Sequence, residues 1–303
     1  MSDLRYIMLE NRGLIGVDGE DARDFLQGLI SNDVHKVTVE KTLYAALLTP
    51  QGKFQYDFFL SASDTGLLID CELDRLEEFK RKLSMYKMRA KVELSDRTPD
   101  LTVAALNGDG VAKTLGVENT EGTTAPFADG TACMDPRLVL MGGRAVVSRE
   151  DAATQIEAAG FKAGDPSDYE RLRLNNGLPD GSRDMVVDKA ILLENGFVEL
   201  HGVDWNKGCY MGQELTARTH YRGLVKKRLM PVRIEGPTPE PGTQILFNGK
   251  DAGEIRTSLD GRGLALIRLE PYRNRAASNE PFTAGEAIIV PNKPSWAEFP
   301  EPE

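Results

Sequence analysis

Beyond residue 225 the chain reads as a succession of short strands, and this limits its fold more than any other feature. Apolar runs at 229–234, 244–247, 252–257, 263–269 and 287–290 alternate with turn residues, and each is too short for an ordinary helix. Asn248-Gly249 lies between two of them, and both residues tolerate the positive φ that a two-residue hairpin demands. Short strands at this spacing imply a small closed β-barrel over 225–291. The remainder, 292–303, is acidic and contains proline, so a disordered tail is expected.

The first 224 residues alternate strands with amphipathic helices. Strands are expected at 5–9 and 14–17 around a turn, at 43–48 and 54–60 as a hairpin, and at 66–71, 91–94, 101–106 and 139–147. The turn Thr49-Pro50-Gln51-Gly52 joins the hairpin with Pro and Gly where a type I turn prefers them. Helices are expected at 21–30, 74–85 and 149–159, with an exposed loop at 116–130. Ser167-Asp168-Tyr169-Glu170 fits a capping box that opens a further helix, stopped by Gly177 and Pro179. This order points to α+β, ferredoxin-like subdomains interleaved over 1–224, rather than a doubly wound parallel sheet.

At 303 residues the chain needs no staples to build its cores. Its net charge of −10 leaves no excess of cations for phosphate contacts, so no direct nucleic-acid binding is expected. Lys226-Lys227-Arg228 reads as a solvated strand end. Cys71, Cys133 and Cys209 are too few and too scattered for a disulfide framework or a zinc knuckle, which implies a reducing compartment. No apolar run approaches the roughly 20 residues of a membrane span, and the first residues carry no presequence pattern. A cytoplasmic protein without a membrane partner is the expectation.

The chemistry concentrates in residues 207–218. Lys207-Gly208-Cys209-Tyr210-Met211-Gly212-Gln213-Glu214 brings a thiol, an amine, an amide and a carboxylate together, and Arg218 follows one helical turn later. Gly208 and Gly212 suggest a tight backbone path around Cys209. Lys207 and the start of a helix after Gly212 would both favour the thiolate, whereas the bland alternative is a buried structural cysteine. His220 is eleven residues from Cys209, and such spacing alone does not identify a nucleophile–base pair. A single thiolate falls short of the four ligands an iron–sulfur cluster generally takes, so no resident metal is expected. Hydrolase, nucleotide-binding and metalloprotease motifs are absent from the sequence.

The same residues, with Ala217-Arg218 and Thr219-His220-Tyr221-Arg222-Gly223, resemble the signature of the YgfZ-type folate-binding proteins, in particular their mitochondrial branch. Phe25-Leu26-Gln27-Gly28, Asn32-Asp33, Thr49-Pro50-Gln51-Gly52-Lys53, Tyr56-Asp57 and Arg171-Leu172-Arg173-Leu174 extend the likeness over nearly the whole chain. The resemblance implies an architecture like that of the glycine cleavage T-protein, with α+β subdomains around a folate pocket and a C-terminal barrel. It implies a tetrahydrofolate-dependent role in assembling or repairing iron–sulfur clusters in client enzymes, including those that thiolate tRNA. Partners would then be folate, iron–sulfur assembly proteins and cluster-containing clients. Cys209 and Lys207 would be the reactive pair, with Gly208, Tyr210, Gly212, Gln213 and Glu214 shaping the motif. Tyr169, Arg12, Asn32, Asp57, Glu194 and Arg218 would contact folate. Arg12 and Tyr169 stand where some bacterial members carry tryptophans that flank the ligand. True aminomethyltransferases have an acidic pair where this chain has Tyr56-Asp57 and a glutamate near Asn175, so glycine cleavage is not expected. A folate-dependent one-carbon transferase and a ligand-free scaffold remain as alternatives.

Overall fold

The computed structural model describes residues 3–223, 225–275 and 280–299. Two compact units divide the chain. The first comprises the chain up to Leu48 with Tyr56–Tyr169 and Leu200–Met211; the second comprises Thr49–Gln55, Glu170–Glu199 and the chain from Gly212 onward.

In the first unit, β1 (Arg5–Met8), β2 (Arg12–Asp18), α1 (Ala22–Gln27) and β3 (Leu43–Leu48) precede β4 (Phe54–Ala62), whose first two residues belong to the second unit. Then come β5 (Gly66–Glu72), α2 (Leu76–Lys87), β6 (Glu93–Asp96), β7 (Leu101–Asn107), α3 (Val111–Leu115), β8 (Thr124–Phe127) and β9 (Gly130–Met134). After these follow β10 (Gly143–Ser148), α4 (Ala152–Ala158), β11 (Lys162–Ala163) and α5 (Pro166–Asn176), which enters the second unit at Glu170. One sheet runs β3-β4-β5-β2-β6 and the other β11-β1-β7-β10-β9-β8.

The sequence of β2 explains how these sheets stack. It is apolar on both faces, and six of its seven residues are buried. Ile15 and Val17 pack with Leu26 of α1 and Phe79 and Leu83 of α2. Leu14, on the other face, packs with Leu68 and with Ile7, Val103 and Ala105 of the second sheet. That sheet in turn covers its far face with Val111 and Leu115 of α3 and Ile156 of α4. The unit is therefore helix, sheet, sheet, helix.

Three local expectations change here. Strands β1 and β2 flank a turn but do not pair: β1 pairs with β7, and β2 with β5 and β6. The stretch 116–130 is more than an exposed loop, since it holds β8, with Thr124 and Phe127 buried. Helix α5 begins at Pro166, and the Asp165 carboxylate accepts the Ser167 backbone N–H at 2.8 Å. Asp165 is thus the cap. Glu170 takes Arg173 and Arg183 rather than reaching back to Ser167.

In the second unit, α6 (Gly181–Asp184) and α7 (Gln213–Tyr221) accompany a closed barrel in the order β12-β15-β14-β13-β16-β17. Its strands are β12 (Lys227–Glu235), β13 (Gln244–Phe247), β14 (Lys250–Leu259), β15 (Arg262–Arg268), β16 (Phe282–Ala284) and β17 (Ala287–Pro291), with α8 (Leu269–Asn274) between β15 and β16. Asn248 and Gly249 both take positive φ, as their hairpin requires.

The barrel does not end its unit. Ala297 and Phe299 join its core, and the Trp296 indole N–H donates to Asn176 O at 2.6 Å. Residues 292–299 are therefore packed rather than a disordered tail; 300–303 lie outside the described residues. Arg228 is buried rather than solvated, because Glu199 and the Leu193 carbonyl take its guanidinium. The boundary expected at 224/225 follows the strands, but the compact unit also takes in Thr49–Gln55 and Glu170–Glu199.

Candidate functional site

Residues up to Met211 of the central motif lie in the first unit and are anchored at the exit of α1. The Lys207 ammonium has three N–H groups, and it donates to the carbonyls of Gln27 (2.9 Å), Ile30 (2.6 Å) and Asn32 (2.8 Å). A helix end leaves carbonyls without intrahelical partners, and Lys207 supplies the missing donors. Burial pushes its ammonium down to about 8, against the opposing pull of Asp33 and Asp204. The Met211 backbone N–H donates to Gly28 O at 3.0 Å, and Tyr210 is buried with Lys207 Nζ 5.0 Å from its ring centre. Lys207 is thus a staple, and its donors point at α1 rather than serving Cys209 as a reactive partner.

Between these anchors Cys209 is exposed, whereas Cys71 and Cys133 are buried. Burial pushes both of those thiols up to about 12. Gly208 is not needed for a tight path, because a Cβ there would meet nothing within 4 Å. Gly212 is needed, since it takes a φ of 81° directly before α7.

Asn32 is fully engaged by the protein. Its amide donates to Tyr44 O and His201 O, both at 2.8 Å, and its side-chain oxygen accepts the Asp33 N–H at 2.8 Å. Arg12 and Asp57 are likewise internal. The Arg12 guanidinium binds Asp70 at 2.7 Å, and Asp57 accepts the Tyr44 hydroxyl at 2.8 Å. Sequence reasoning overlooked the larger cluster to which they belong. Arg144 also binds Asp70 at 2.5 Å, while Arg137 binds Asp135 at 2.8 Å and donates to the Tyr169 hydroxyl at 3.3 Å. Phe59 lies within 4.0 Å of the Arg144 guanidinium and 4.8 Å of that of Arg137. The available signal was a lone charge in each apolar run, Asp70 in Leu67-Leu68-Ile69-Asp70 and Arg144 before Ala145-Val146-Val147.

The Arg144 side of this cluster borders a cavity of about 20 Å³, enough for one water and far below the several hundred Å³ of a drug-sized ligand site. Arg12, Asn32 and Asp57 lie outside its lining, and each already holds a protein partner. Tyr169 is half-buried against Ile7, Leu14 and Val103 and keeps an aromatic surface suited to packing.

In the second unit, Glu214 and Arg218 form an exposed pair 4.0 Å apart on α7. Gln213 opens that helix immediately after Gly212. The hairpin turn packs on it: a Cβ on Gly52 would come within 2.5 Å of Leu215 Cβ and 2.7 Å of Gly212 O. Two sequence motifs distant in the chain are thereby in contact. Glu194 is half-buried, and burial raises its carboxyl above the ordinary range despite Lys227, Lys53, Arg256 and Arg268 around it. A partly desolvated carboxylate of this kind fits a ligand donor such as a pterin amine.

Comparison with known proteins follows these features along the chain. Residues 226–299 match the C-terminal beta-barrel domain of CAF17. The mitochondrial iron–sulfur cluster assembly factor IBA57 of Mus musculus is 34% identical, over 94% of this chain and 84% of its own. The human protein of the same name is 30% identical, over 95% of this chain and 84% of its own. The chain belongs to the IBA57 family of iron–sulfur cluster assembly factors, of the YgfZ type. The family likeness includes a homologue from Aspergillus fumigatus, also named mitochondrial, at 30% identity over 88% of this chain. These relatives overturn the expectation of a cytoplasmic location. The solved aminomethyltransferase T of the glycine cleavage system from Bartonella henselae superposes with a TM-score of 0.74 over 96% of this chain and 85% of its own. At 13% identity that likeness establishes the T-protein fold and no activity.

Proposed function

We propose that this protein is an iron–sulfur cluster assembly factor that presents Cys209 to a cluster carried by a partner protein. The exposed thiol, held between Lys207 and Met211 while the other two cysteines are buried, is the observation that carries the reading. Among the described residues no three His, Cys, Asp or Glu side chains converge on a metal position. One thiolate supplies one ligand, so the partner provides the others and the cluster is cargo. We further propose tetrahydrofolate as ligand and tRNA-thiolating enzymes among the clients. Glu194 supports folate as a desolvated acceptor, and Tyr169 as an aromatic surface; Arg12, Asn32 and Asp57 give no support.

The decisive experiment for the thiol is Cys209→Ser, assayed for restoration of cluster-dependent enzymes in cells lacking the native gene. Loss of restoration with unchanged protein level is expected, and full restoration refutes a role for the thiol. Folate is tested separately by calorimetry with tetrahydrofolate on wild type, Glu194→Gln and Tyr169→Ala. Binding weakened about tenfold or more by either substitution supports the ligand. No heat of binding to the wild type leaves an assembly factor that works without folate.

A further inference from the structure

The C-terminal end of α2 presents an exposed surface apart from the Cys209 motif. The helix buries Leu76, Phe79 and Leu83, so the opposite side faces solvent. Arg81 and Met85 lie one turn apart there, and the exposed Met88 and Arg89 follow just past the helix end. Met85 is 66% and Met88 91% exposed, the latter the most exposed large apolar side chain among the described residues. Met88 has φ 43°, a conformation that costs a non-glycine residue energy, and it holds an apolar prong in water.

Lys87 and Arg89 flank Met88 in the chain, and Arg81 and Lys82 lie one turn before Met85. Arg81, Lys82, Lys87 and Arg89 have no ion-pair partner among the described residues, whereas Arg75 and Lys80 nearer the helix start pair with glutamates. The concentration is notable in a chain whose net charge is −10. We propose that this end of α2 docks the protein reversibly on an anionic lipid surface. The two methionines enter the headgroup boundary, and the four cations engage the lipid anions around them.

A lipid surface fits these residue types better than a protein groove. A rigid partner would have to freeze the rotamers of four long cations and two methionines. A fluid anionic surface accepts them without fixed geometry, and the long stems keep their charged ends in water while their apolar portions pack. Among the described residues no helix is long and apolar enough to cross a membrane, and a surface-docked helix need not be. The overall negative charge opposes approach, so the local cations must orient the molecule, and docking should weaken steeply with salt.

Flotation of the full chain with phosphatidylcholine vesicles, with and without phosphatidylglycerol, tests the proposal. The wild type should float with the anionic vesicles alone and be released at high salt. R81E/R89E should reduce the bound fraction roughly tenfold or more. M85S/M88S should keep salt-sensitive binding at reduced affinity. These side chains are exposed, so each variant should match wild type in circular dichroism and thermal unfolding. K113E/K250E, which changes net charge equally at exposed sites elsewhere, should float like wild type. Equal flotation with neutral and anionic vesicles overturns the proposal, as does unimpaired binding by R81E/R89E. Equal loss in K113E/K250E also overturns it, because net charge rather than this surface would then be responsible.

Discussion

Lys207 shows how a residue with a reactive neighbour can have a structural task. Its three donors close three carbonyls where α1 ends, so Lys207→Met leaves those acceptors without their cation. Chemical denaturation should reveal a loss of about 2 kcal/mol. A lysine that served only to activate the thiol would leave stability unchanged. Glu194 gives the opposite case, a carboxylate that burial makes costly to ionise. Its native pKa lies above the unfolded value near 4.5, so between the two the native state holds the extra proton. Wild-type stability therefore gains from this group as pH falls through the raised native value, and the ionisation cost is complete above it. Glu194→Gln should be more stable than wild type at neutral pH, with the difference vanishing near pH 4. Urea midpoints measured across that range provide the check, and a pH-independent difference would contradict the assignment.

The elements were legible where local chemistry decides them. Asn248-Gly249 marked its hairpin, Gly177 stopped α5, and five of the six barrel strands were located to within a few residues, while the three-residue β16 and the short α8 before it gave no periodic signal. The errors arose where tertiary contacts decide. Glu10-Asn11-Arg12-Gly13 looked like the turn of a hairpin, yet Leu9 N–H bonds to Val103 O and Leu73 N–H to Asn11 O, drawing the flanking strands into different sheets. Asp70 and Arg144 carried no local signal of burial, because each is partnered from the other sheet. The sequence marks Gly52 as a turn residue, and only the fold places it against the start of α7. Gly52→Ala combines a φ of 80° with a 2.5 Å approach to Leu215 Cβ, so a loss of at least about 2 kcal/mol is expected. Thermal unfolding measures it. A change below about 0.5 kcal/mol, the range of ordinary surface substitutions, would show that the turn can move away from the helix without penalty.

For the molecule, the question is what the barrel needs in order to stand. Six strands close on themselves, which removes sheet edges and makes 225–299 look self-sufficient. Contacts within its own unit argue otherwise. Leu229 and Leu264 pack against Leu174 of α5, and Arg262 donates to Asn175 at 2.5 Å. Trp296 relies on Asn176 O, and Arg228 on Glu199 and the Leu193 carbonyl. Thr257 of β14 donates to Asp184, which also holds the fully buried Arg173. Excision at residue 225 removes all these partners. Arg228 alone would lose its buried counter-ion, a defect of the size that costs about 3–5 kcal/mol when one member of a pair is deleted. A barrel this small has a comparable total stability. The isolated 225–299 fragment should therefore be largely unfolded, with Trp296 emission like that of a denatured chain. Adding 170–199 as a second peptide should restore a cooperative transition. If the fragment alone instead unfolds cooperatively at the same urea midpoint as the intact chain, the barrel is autonomous and the Glu170–Glu199 segment only decorates it.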